Sequence, residues 1–405
     1  MIRRLTTYIL ASVTMMLTAG GLSACTADHL DAPDNAPSSS FSFNPDGSMN
    51  VAVELEFPEM VSATRALGDD PNFGNDLSLY LLVFEEDRGE DYSSSRLKQY
   101  TKPACTFNNH DDNHSHDKLV KFDLELKPTE KPTSIHIIAT NQPDFESMIS
   151  FGTEEYLISS LYTTDGYEAY WQRIAFEHNI PGKEQSDPNY SDKFTEEDQR
   201  KAEAVAQALS HVPMIRNFCR VSVDASAVAS TFRVTGLYVL NTVDRGSVAP
   251  YVASNPKGDR FVVYYDTDSS NNYVGKSYDD ISSQNHVGTL PTGTKLINNS
   301  LNPASIDTKN ETGAPFAVHF YERPARENST ERTYVIIRGR RTGATQDSYY
   351  KLDLGRIDAN FKNNNDVVGR FEYHNLLRNS AYTGMNNRKS AQNSPDEKSI
   401  GSPGV

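Results

Sequence analysis

The run Val51-Ala-Val-Glu-Leu-Glu-Phe57 decides how this chain is read. Apolar residues stand at 51, 53, 55 and 57, and small or acidic ones stand between them. A period of two over seven residues is the mark of a strand with one face on a core and one toward water. Pro58 ends it. Working outward, Leu77–Phe84 and Ser134–Thr140 are near-continuous apolar runs, as expected of central strands, while Leu119–Leu126 alternates. Later candidates are Arg216–Val223, Phe232–Leu240, Arg260–Tyr265, Ala317–Tyr321, Thr333–Gly339 and Tyr349–Leu354. Turn residues separate these short strands and no βαβ rhythm appears. The expected fold is therefore mainly β, in two tandem antiparallel sandwiches. Two stretches of helical spacing, 153–178 and 195–211, form an insertion between or within them. In the second, Thr195 is placed to cap and Ala202, Val205, Ala206 and Leu209 form an apolar stripe.

The 405 residues allow two domains, or three at most. With Lys+Arg 39 against Asp+Glu 54, the formal charge is -15, so phosphate backbones are repelled and nucleic acid is not an expected partner. Arg3 and Arg4 precede the apolar run 8–19, which is short for a membrane span and reads as an export signal. It ends in Leu22-Ser23-Ala24-Cys25, which resembles a bacterial lipobox. That resemblance implies that the Cys25 thiol is acylated and becomes the mature N-terminus. Several acyl chains, at about 0.8 kcal/mol per buried CH₂, hold a protein stably on a membrane. Residues 26–50 are polar and suit a tether. Cys105 and Cys219 remain, and sequence alone leaves their pairing open.

Chemical motifs are sparse. His110-Asp-Asp-Asn-His-Ser-His-Asp117 holds imidazoles and carboxylates that could ligate Zn²⁺ or Ni²⁺, but it lies in a polar inter-strand stretch without a helical H-E-x-x-H spacing. A solvated loop is the reading, and no metal is assigned. Asp266-Thr267-Asp268 fails the calcium-loop pattern, which needs Gly where Asn271 stands and Glu where Ser277 stands. Glu85-Glu86-Asp87 and Glu196-Glu197-Asp198 read as solvated charge runs, the second at a helix N-terminus. Arg338-Gly-Arg-Arg341 reads as a hairpin turn. No nucleophile elbow, phosphate loop or dinucleotide fingerprint occurs, and neither an enzyme activity nor a cofactor is expected.

Several segments, taken in order, resemble one family. They are the lipobox at 22–25, the strand followed by Thr64-Arg65-Ala66, and then Asp76–Phe84, Ile135–Asn141 and Val212–Val221 with Leu240-Asn241 and Gly246–Tyr251. Phe320–Pro324 with Tyr334–Ile337, Tyr349–Leu354 and Leu376–Tyr382 complete the set. Together they resemble the type V pilins, the fimbrillins of Gram-negative anaerobes, and especially their larger pilin-like lipoproteins. The resemblance implies transthyretin-like sandwiches, a structural and adhesive role at the cell surface, and no catalytic residue. It also implies cleavage between Arg65 and Ala66, loss of the first strand, and filling of its groove by a strand from another pilin subunit. Val51, Val53, Leu55 and Phe57 would be the side chains that vacate the groove. At about 1.5–3 kcal/mol each, roughly 6–12 kcal/mol of burial would change hands.

The expected organisation is a signal at 1–24, a tether at 25–50, and a removable strand with its linker at 51–65. Two sandwiches follow at 66–212 and 213–383, with a polar tail at 384–405. That tail has almost no large apolar residues and does not suit a groove-filling donor. The expected partners are other subunits, the outer membrane through the lipid, and a host or bacterial surface ligand. The alternative is a monomeric surface lipoprotein that binds glycan or a host ligand through loops.

Overall fold

The computed structural model describes residues 41–57, 77–86, 95–105, 118–164, 166–182, 194–224, 229–252, 261–268, 273–276, 290–297, 316–323, 332–358, 362–363, 366–367, 370–373, 378 and 381–385. Cys25, Arg65, Ala66 and the cluster His110–Asp117 lie outside them. The described part is mainly β, as the strand pattern implies.

Two sheets form its first layer pair. One takes β1 (Phe41–Phe43), β2 (Met49–Phe57) and β5 (Lys118–Leu126), with β9 (Val212–Pro213) beside the C-terminal half of β2. The other has the order β10 (Ile215–Arg216), β8 (Ala169–Phe176), β6 (Thr133–Thr140), β3 (Ser78–Glu85), β4 (Arg96–Thr101), all antiparallel. The continuous apolar runs now have a cause, because this second sheet is buried on both faces. Leu79, Leu81, Val83, Ile135, Ile137, Tyr170 and Ile174 face the β2 sheet. Tyr80, Leu82, Phe84, Ile138 and Trp171 face a second core, where Val248, Ala249, Tyr251, Val252, Phe261, Val262 and Tyr264 pack. At the β4 end a side chain closes the gap between the sheets. Gln99 Nε2 donates to the Glu125 carbonyl (2.9 Å), and its Oε1 accepts from the Lys127 N–H (3.0 Å).

The helical reading of 153–178 is half right. Only α1 (Glu154–Ser160) forms, capped by the Thr153 hydroxyl; β7 (Tyr162–Thr164) and β8 follow. Tyr, Trp and Ile in 170–174 serve the two faces of a buried strand, a pattern that short windows do not separate from a helix. The second helix, α2 (Glu196–Leu209), forms as expected. Thr195 and Asp198 make a reciprocal capping box, and the Ala202, Val205, Ala206 and Leu209 stripe enters the first core.

Further along, β11 (Phe218–Asp224) pairs antiparallel with β18 (Phe316–Tyr321) and parallel with β25 (Ala381–Met385). β12 (Phe232–Leu240), β19 (Tyr334–Arg341) and β20 (Ser348–Asp353) make an antiparallel sheet. Cys219, Val221, Leu237, Phe320, Val335 and Leu354 fill the core between them. Short ladders complete the chain: β13 (Thr242–Val243) with β17 (Leu296–Ile297), β14 (Arg245–Ser247) with β7, and β15 (Tyr265–Thr267) with β16 (Tyr273–Gly275). β21 (Gly355–Asp358) pairs with β24 (Arg370–Tyr373), and β22 (Lys362–Asn363) with β23 (Asp366–Val367). The strand expected at 260–265 is displaced. Phe261, Val262 and Tyr264 are buried against the second core, and the ladder begins only at Tyr265.

Candidate functional site

The site the sequence points to is the slot that holds β2. Met49, Val51, Val53, Leu55 and Phe57 are each 2% exposed or less, all pointing into the first core. Phe57 meets the Tyr170 ring edge-on, with centroids 5.1 Å apart. On one side β2 pairs with β5 along its whole length, from Met49↔Leu126 to Phe57↔Lys118. On the other it shares its partners: β1 takes Met49, Asn50 and Val51, and β9 runs parallel at Leu55 and Glu56. β2 is therefore an interior strand, not an edge.

Its outer face carries a polar latch. Glu54 meets Lys121 Nζ at 2.5 Å and His211 Nδ1 at 3.0 Å, while His211 Nε2 reaches Glu56 Oε2 at 2.6 Å. Partial burial pushes the Glu54 carboxyl up, but the Lys121 and His211 contacts outweigh it and hold the group below its ordinary value.

The four expected groove residues thus lie together. The sequence reading missed three contributors. Met49 extends the alternation and starts β2 two residues earlier. Phe41–Phe43, inside the expected tether, forms a strand whose Phe43 stacks on Phe194 (3.5 Å, 12°). Its short Phe-Ser-Phe alternation was the available signal. His211 follows α2 in sequence and carries no motif that would have singled it out.

On the far face of the second sheet lies a buried ionic cluster. Glu154 Oε1 accepts from His136 Nε2 (2.7 Å), Arg173 Nε (2.7 Å) and Ser134 Oγ (3.0 Å). Trp171 Nε1 donates to His136 Nδ1 (3.0 Å), which orients the ring so that its Nε2 meets the carboxylate. Burial drives the Glu154 carboxyl up, yet Arg173 and His136 more than reverse this and hold it at about 2. A second cluster joins distant segments. Arg378 is fully buried; its Nε donates to Glu322 Oε2 (2.9 Å), and its terminal nitrogens reach the Val248 carbonyl (2.5 Å) and Ser247 Oγ (2.7 Å).

Other expectations change. Glu85 is not solvated: it is buried, pairs with Lys98 Nζ (2.9 Å) and accepts from the Glu130 N–H (2.7 Å). Arg338 and Arg340 belong to β19, not to a turn, and both bind Asp347. Cys105 and Cys219 are both free thiols, and burial pushes the Cys219 thiol well up. Among the described residues, no cluster of His, Cys, Asp or Glu could hold a metal ion.

Fold and site define a layered β protein with an interior, apolar-faced strand near its N-terminus. No protein-family model matches the chain, and no curated protein matches it. Among solved structures it is similar to the tip fimbrial protein Mfa3 from Porphyromonas gingivalis with C-terminal truncation. The TM-score is 0.37 at 9% identity, covering 82% of this chain and 94% of that one. It is also similar to a fimbrial assembly protein from Parabacteroides distasonis ATCC 8503, with a TM-score of 0.36 at 8% identity, covering 83% and 90%.

Proposed function

We propose that the chain is a pilin-type subunit of the cell surface, carried there as a lipoprotein acylated on Cys25. It is activated by cleavage between Arg65 and Ala66 and assembled when a strand of another subunit replaces β2, in the service of adhesion. The division into sandwiches at 66–212 and 213–383 belongs to the same reading. The observation that carries it is the environment of β2: five side chains bury completely on one face, while the linker to the next strand contains Arg65.

Cleavage at that point frees β1 as well as β2, and their departure breaks the Phe43–Phe194 stack. The open slot is then bordered by β5 and β9 and floored by the first core. Any strand with apolar residues at alternate positions restores the ladder to β5 and the burial beneath it.

Mass spectrometry of protein released from the cell surface tests this. A mature N-terminus at Ala66 within high-mass, SDS-resistant ladders is expected. An acylated Cys25 retained in a monomeric, uncut chain sinks the proposal and leaves a monomeric ligand-binding lipoprotein.

A further inference from the structure

The second sheet ends at β8 in an unfinished edge. β10 pairs with β8 only at Tyr170 and Trp171. Asn217 continues that ladder past Ala169: its N–H donates to the Ala169 carbonyl (2.9 Å), and its Oδ1 accepts from the Ala169 N–H (3.0 Å). Outward-facing backbone groups on β8 thus fall at odd positions, and by the period of two Ala175 faces outward as well. In the other direction the partner is lost. The chain before Ile215 turns to pair with β2, and Pro213 has no N–H to offer. The Gln172 side chain stands in for one missing pair. Its Nε2 donates to the Pro213 carbonyl (3.1 Å) and its Oε1 accepts from the Arg173 N–H (3.1 Å). Ala175 is exposed and is paired outward by no described strand.

This edge is the floor of a groove of about 360 Å³. Ala204 and Ala208 of α2 form one wall; Phe261, Tyr264 and Tyr265 form the other. Tyr273 bridges the walls, its hydroxyl donating to the Ala208 carbonyl (3.4 Å). In a chain of net charge -15, the described lining contains no carboxylate, and its single charge, Arg173, is already paired with Glu154.

We infer that the β8 edge is a strand-addition site for an extended, uncharged peptide of a partner protein, distinct from the β2 slot. The outward N–H and C=O of Ala175 supply the ladder. The small residues of α2 admit the peptide's side chains on one face, and the aromatic wall packs on the other. The lack of lining carboxylates favours neutral side chains over basic ones. The site stands whether or not the chain is cut at Arg65.

The single tryptophan, Trp171, lines the groove and reports occupancy. Titration of the full chain with acetyl-Thr-Val-Thr-Val-Thr-amide is expected to give a saturable change in Trp171 emission and slowed exchange of the Ala175 amide. The variant Ala175→Pro removes only an outward N–H and leaves the β6 ladder intact, so the fold is kept while affinity falls about tenfold or more. Ala204→Glu on the exposed wall of α2 gives a second test and is expected to weaken binding as much. An unchanged emission spectrum overturns the inference, as does equal binding by both variants. Saturation by maltohexaose in place of the peptide overturns it in favour of a glycan groove. Self-association that Ala175→Pro abolishes, without peptide binding, assigns the edge to a second copy of the chain instead.

Discussion

The seam under β2 and the far face of the central sheet, which adds buried ionic groups to its own apolar core, are built by different means. Leu79, Leu81, Val83, Ile135 and Ile137 meet β2 through aliphatic contact. The other face buries Glu154, His136 and Arg173 in one hydrogen-bonded cluster, and beyond it Arg378 and Glu322 form another. Aliphatic contact is non-directional, and a groove made of it accepts any strand of matching alternation and volume. Buried ionic clusters accept one arrangement, since each charge needs its partners in place. The comparison separates a replaceable strand from a frame that must not shift when the strand is replaced.

The largest effect should come from breaking the frame. Arg378→Met keeps the bulk but leaves Glu322 buried with one partner fewer and frees the Ser247 and Val248 acceptors. The expected loss is about 3–5 kcal/mol, read from urea unfolding. On the seam with β2, Leu55→Ala should cost about 3 kcal/mol, and Leu55→Met less than about 1.5 kcal/mol. If the near-isosteric change at Leu55 proved as damaging as the one at Arg378, the seam would be as specific as the frame, and strand replacement would lose its physical basis.

How much of this was legible depends on which forces act where. The β2 seam was readable because alternation is a local pattern, and Val51 to Phe57 carry it without interruption. The N-terminus of α2 was readable for the same reason, since Thr195 and Asp198 lie one turn apart. The frame was not. Glu154 and His136 are 18 residues apart, and Arg378 reaches Glu322 across 56; nothing local announces that either pair meets. Glu85 misled because an acidic triplet at a strand end resembles solvent-facing charge, whereas Lys98 and the Glu130 N–H allow it to be buried. The unfinished β8 edge was invisible because it depends on where β9 and β10 diverge, which is a property of the assembled sheets.

The smallest effect concerns acid, and it isolates the frame from the seam. The carboxyl of Glu154 is held at about 2 in the folded chain, against an ordinary 4.5. A depressed folded value means that the ionised form is what the fold favours. Its contribution is fully present above about 4.5 and is lost as pH falls toward 2. His136 Nε2, Arg173 Nε and Ser134 Oγ are the groups on the carboxylate, and Trp171 Nε1 holds the far side of the His136 ring. One proton limits the slope to about 1.4 kcal/mol per pH unit. Glu54 and Asp347 are also depressed, so the informative quantity is the difference between the wild type and Glu154→Gln. The variant should be less stable at neutral pH, and its deficit should shrink between pH 4.5 and 2 as the wild type loses the same interaction. A deficit that stays constant over that interval would mean that the Glu154 cluster acts through shape alone, and the two faces of the sheet would then differ in packing but not in kind.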